Sequence, residues 1–112
     1  FLHASPFPSF WQLHVPLVVW TSPAYRERHA DIASSLNANR RKQAESNSVF
    51  HTLLTMGGVT TSYRNDSLSL ASPSFTPHRR LFIDDHNEPR PYSECMQKED
   101  FEAMQRHGIN MK

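Results

Sequence analysis

Two places in this sequence group side chains that could hold a metal or handle a phosphate: His3, in Phe1-Leu2-His3-Ala4-Ser5-Pro6, and the cluster Asp84-Asp85-His86-Asn87. A neutral imidazole ligates zinc, and a protonated one donates to a phosphate oxygen or a leaving group. His3 sits on a segment stiffened by Pro6 and Pro8, ahead of the apolar run Val15-Pro16-Leu17-Val18-Val19-Trp20. Open α/β sheets place their ligands on loops that flank strands, so His3 is the residue expected to take direct part in chemistry. The acidic cluster is adjacent in sequence, and successive residues of an extended segment point to opposite faces. No second group of ligands is spaced to complete a shell. Asp84, Asp85 and His86 are therefore expected to form a polar turn leaving a short strand over residues 80–83, and not a metal site.

The other histidines are scattered, and none falls in an H-E-x-x-H pattern or beside a C-x-x-C pair. His29 lies on a helical stripe and is expected to be a half-buried packing residue. His14 is expected to cap the end of the apolar strand. His51 reads as an exposed helix residue, and His78 and His107 as surface groups. Cys95 is the single cysteine; it is a free thiol or the partner of a cysteine outside this chain.

The elements that must position these groups follow from local pattern. Residues 1–14 read as an irregular loop anchored by Phe7, Phe10 and Trp11. Residues 15–20 form a continuous β-branched run, the mark of a strand covered on both faces, which implies neighbouring strands from another segment. Ser22-Pro23 supplies an N-cap and a proline at the first helical position, and Tyr25, His29, Ile32 and Leu36 make one apolar stripe. Residues 37–48 are expected to end that helix in an exposed connection. A second helix is expected from about Ser46 to Gly57-Gly58, where positive φ is available, with Phe50, Leu53 and Leu54 facing a sheet. Leu68 and Leu70 alternate with serines as in an edge strand or turn. A last helix is expected over residues 98–107, with Phe101 and Met104 on one side and Gly108 past its end.

Only 38% of the 112 residues are hydrophobic, and mean hydropathy is −0.62. A small domain built this way has a thin core, which fits a C-terminal piece of a larger enzyme better than a whole one. A net charge of +1 gives no electrostatic reason to propose nucleic acid, and Arg40-Arg41-Lys42 is expected to be a solvated helix end. No run approaches the ~20 apolar residues of a membrane span; no signal peptide is visible in the chain, and an export signal or anchor is expected upstream of Phe1 if the parent is exported or membrane-anchored.

The order of motifs resembles one family. Leu2-His3, then Pro6, Gln12, Val15-Pro16 and an apolar run ending Trp20-Thr21-Ser22 resemble the phosphoethanolamine transferases. These belong to the sulfatase-like branch of the alkaline phosphatase superfamily. There a Leu-His-Gly-x-Pro segment precedes a Gln-x-x-Val-Pro strand, and a Thr-Leu-Leu helix follows, which Ser48-Val49-Phe50-His51-Thr52-Leu53-Leu54 resembles. Ala4 stands where the family has glycine, and the loop from His3 to Val15 is slightly shorter. The likeness spans about residues 2–70.

That resemblance implies an α/β fold: the C-terminal piece of an alkaline phosphatase/sulfatase-like α/β sandwich with a mostly parallel central sheet. It assigns residues 1–70 to the catalytic domain and 71–112 to a C-terminal extension. It also implies a zinc cofactor, a threonine nucleophile, and transfer of phosphoethanolamine from a phospholipid donor to a lipid A or other glycolipid acceptor at the periplasmic face of the inner membrane. The nucleophile and the principal zinc ligands precede the Leu-His motif in the family, so the remainder of the catalytic domain is the implied partner. His3 alone carries over, as a phosphate contact or acid/base and as a candidate ligand of a second zinc. A sulfatase or a phosphoglycerol transferase of the same superfamily is the nearest alternative. A non-catalytic interaction module using Phe7, Phe10 and Trp11 is the alternative of another class.

Overall fold

The computed structural model describes residues 10–84, 86–91 and 98–108. The chain divides into two compact units, Val19–His78 and a second made of Phe1–Val18 with Arg79–Lys112.

Unit Val19–His78 is built from helices and a wrapped loop. Helix α2 (Pro23–Arg28) starts as expected: Ser22 is extended, its Oγ accepts the Tyr25 N–H at 3.1 Å, and Pro23 occupies the first turn. That proline has no N–H to leave unsatisfied. The stripe through His29 does not continue as one helix. His29 adopts φ −129°, ψ 55°, ending α2 and opening α3 (Ala30–Asn39). Its ring lies 4.6 Å from that of Tyr25, and it is exposed where packing was expected. Helix α3 runs three residues into the segment expected to be an exposed connection, and its buried residues are Ser35 and Asn39. Arg40, Arg41 and Lys42 follow on the surface, as expected.

Helix α4 (Asn47–Met56) begins and ends where the sequence places it. The Gly58 N–H bonds to Thr55 O at 3.1 Å and the Val59 N–H to Leu54 O at 2.9 Å, with Gly58 at φ +66°. This pair of bonds closes the helix only if one residue turns left-handed, which glycine does without strain. What differs is the face it buries. At about 100° per residue, Ser48, Thr52 and Thr55 share one side and Val49, Phe50 and Leu53 the other. Ser48 and Thr52 are the buried residues, while Phe50 and Leu53 are 52% and 62% exposed. The apolar side meets no sheet among the described residues.

The hydroxyl side packs instead on the loop that follows. A 3-10 turn (Asp66–Leu68), capped by Asn65, leads into Ser69, Leu70, Ala71, Ser72 and Phe75, all buried. Of the two readings for Leu68 and Leu70, edge strand or turn, the structure has the turn, and it enters a core. Small side chains let this backbone approach α4 closely, so hydrogen bonds replace side-chain ladders. The division expected at residue 70 falls inside that core, between Leu70 and Ala71.

The second unit contains helix α1 (Phe10–Leu13), an antiparallel hairpin and a last helix. Strand β1 (Leu81–Ile83), the short strand expected near residues 80–83, pairs with β2 (Pro89–Pro91) in the register Leu81 to Pro91, Phe82 to Arg90 and Ile83 to Pro89. Prolines donate nothing to a ladder and sit on sheet edges, so β2 ends the pairing. Helix α5 (Lys98–Arg106) falls on the expected span less its last residue, with Met104 wholly buried and Gly108 at φ +65° past its end, while the side chain of Phe101 lies outside those described.

Residues 15–20 do not form the expected strand: no regular element covers residues 14–22. Val18 and Trp20 are 85% and 77% exposed. A strand exists only against a hydrogen-bonding neighbour, and the described residues provide none beside this run. His14 is exposed, with no sheet end there to cap. No parallel pairing of strands occurs among the described residues. The described residues contribute helices and one antiparallel hairpin.

Candidate functional site

His3 lies outside the described residues, as do Asp85 and Cys95 and the loop anchor Phe7. The described members of the acidic cluster are Asp84, His86 and Asn87, and they organise the hairpin turn. Asp84 Oδ1 accepts the backbone N–H groups of His86 and Glu88, each at 2.9 Å, and Oδ2 accepts Arg90 Nε–H at 2.8 Å. Asn87 supplies the left-handed residue at φ +61°, a conformation asparagine tolerates better than most. The Glu88 N–H, opposed by desolvation and helped by the His86 N–H and Arg90, holds the Asp84 carboxyl below its usual range. The side chain is 6% exposed, covered by its own turn. A carboxylate with both oxygens occupied in this way is a staple for the hairpin.

A recess of about 610 Å³ lies in unit Val19–His78, lined by His51, Leu68 and residues 60–66, and it opens broadly to solvent. Its floor comes from α4 through His51, and its rim from the loop after Gly58. The Asn65 N–H donates to His51 Nδ1 at 3.2 Å, which leaves the ring proton on Nε2 and makes His51 half-buried instead of exposed. Arg64 Nε pairs with Asp66 Oδ1 at 3.0 Å while its Nη1 donates to Val59 O at 3.1 Å. Asn65 Oδ1 accepts from both Ser67 N–H and Ser67 Oγ–H, at 3.0 and 2.8 Å.

These groups satisfy one another. The imidazole nitrogen that would serve a hydroxyl as base already accepts an amide, and the arginine charge is matched by Asp66. A recess this open to solvent also gives polar contacts little of the advantage they gain in an enclosed pocket.

The interactions that sequence reasoning missed are structural. Asn39, 2% exposed, donates through Nδ2 to Leu70 O at 3.0 Å and to Ser72 O at 2.9 Å. Thr52 Oγ1 accepts the Leu70 N–H at 2.9 Å, and Ser69 Oγ donates to Thr55 Oγ1 at 2.8 Å. Tyr25 OH donates to Met56 O at 2.6 Å, and burial followed by the Asp31 charge raises the phenol above its usual range. The lone signal for this belt is the serine-rich run Ser67 to Ser74, which reads equally well as a loop.

No three His, Cys, Asp or Glu side chains converge as a metal-holding group among the described residues. No described helix is long and apolar enough to cross a membrane. Set against protein-family models, curated proteins and solved structures, the chain matches none.

Proposed function

We propose that this chain is the C-terminal part of a zinc-dependent phosphoethanolamine transferase of the sulfatase-like kind, working at the periplasmic face of the inner membrane on a lipid A or lipopolysaccharide acceptor. The observation that carries the reading is the ordered series Leu2-His3, Pro6, Gln12, Val15-Pro16, Trp20-Thr21-Ser22 and His51-Thr52-Leu53-Leu54. Two structural facts support it. The segment resembling the family's Thr-Leu-Leu helix is a helix, α4. Its apolar side and residues 15–20 both lie open, as surfaces do when a central sheet supplied by the rest of the catalytic domain is what covers them.

In this reading a threonine from that remainder attacks the phosphorus of a phosphatidylethanolamine. The bond to the diacylglycerol oxygen breaks, and diacylglycerol leaves carrying a proton. An acceptor oxygen then attacks the phospho-threonine, and the threonine hydroxyl is regenerated. Zinc, when bound, would lower the pKa of the nucleophile and offset phosphoryl charge. His3 contacts the transferred phosphate, as proton donor or as ligand to a second zinc.

The test uses the intact membrane protein, headgroup-labelled phosphatidylethanolamine and purified lipid A. Label should reach lipid A, accumulate on a threonine when acceptor is withheld, and fail to move after chelation. His3→Ala should lower turnover tenfold to a thousandfold, about 1.4–4 kcal/mol of barrier. Unchanged turnover with normal metal content would remove His3 from the chemistry. Aryl sulfate hydrolysis without transfer would move the assignment to a sulfatase. No turnover on either substrate, together with cooperative unfolding of this chain alone as a monomer, would favour the interaction module.

A further inference from the structure

We draw no further inference here: the strongest candidate, the open apolar face of α4 formed by Val49, Phe50 and Leu53, is already assigned above to the remainder of the catalytic domain, and nothing in the structure shows a different occupant.

Discussion

Replacing Asn39 by alanine should loosen the loop of residues 65–76 from the helices, and the size of the effect can be worked from its bonds. The side chain sends two N–H donors into a site shielded from water, to Leu70 O and Ser72 O. Ser72 O also accepts the Phe75 N–H at 3.3 Å, so it keeps one partner after the substitution. Losing the extra bond there costs about 0.5–1.5 kcal/mol. Leu70 O receives no other donor among the described residues, and orphaning a buried carbonyl costs about 1–3 kcal/mol. The sum is about 1.5–4.5 kcal/mol, a large share of the stability of a small unit. Asn39→Asp keeps the shape but turns an acceptor-only carboxylate toward two carbonyls, so it should cost more than alanine at neutral pH. The assay is hydrogen exchange of residues 65–76 in the intact protein, beside urea denaturation. Protection should fall by at least tenfold, since 1.4 kcal/mol is a factor of ten. If Asn39→Asp exchanges like the wild type at neutral pH, the two donor bonds are not what holds the loop.

Four further outcomes can be checked. Thr52→Val leaves the Leu70 N–H without its acceptor and should destabilise by about 1–3 kcal/mol in denaturant melts, while Thr52→Ser keeps the hydroxyl and should cost clearly less. Gly58→Ala meets no atom within 4 Å, so its cost should be that of a left-handed backbone alone, about 1–2 kcal/mol; a neutral result would mean the φ of +66° is not held. The Asp84 carboxyl is lowered in the folded chain, so its contribution to the hairpin is present above the unfolded value near 3.9. That contribution is lost as pH falls through the lowered native value. Cross-strand NMR contacts between Phe82 and Arg90 should persist through pH 5 and weaken in stronger acid for the wild type, with Asp84→Asn weaker already at neutral pH and flat in acid. His3→Ala should lower transfer without changing exchange at residues 65–76, which separates a chemical role from a structural one.

Much of the local geometry was legible because its causes are local. Ser22-Pro23 starts a helix, Gly57-Gly58 stops one, and Gly108 follows another, each through backbone rules confined to a few residues. The face that α4 buries was not legible. The pattern Val49, Phe50, Leu53, Leu54 argues for an apolar interior, yet within this chain the hydroxyls of Ser48 and Thr52 lie inward. Short polar side chains are read as loop formers, and only the return of residues 69–72 to Asn39 and Thr52 makes them a core. That return spans more than thirty positions from Asn39 to Ser72, beyond any window of periodicity. Residues 15–20 failed as a strand for the complementary reason: a strand depends on a partner, and composition does not say whether this chain holds one. At the acidic cluster, the turn was legible from adjacency, while the grip of Asp84 on Arg90 required the hairpin register. Of the chemistry expected at His3, the sequence alone speaks, through the order of its motifs.

The way α4 is fastened has one more consequence. Apolar contacts reward fit of shape but are nearly indifferent to the direction in which each atom is approached. Hydrogen bonds are not, since they weaken steeply once bent. Thr52 receiving the Leu70 amide and Thr55 receiving the Ser69 hydroxyl act on the same flank, one turn apart. Rolling α4 by one residue step would break both at once. The helix is therefore indexed in azimuth, like a gear held by its keyway, and Val49, Phe50 and Leu53 are presented at a fixed angle. A surface that docks on them meets a stripe already aligned, and less orientational freedom remains to be lost on contact.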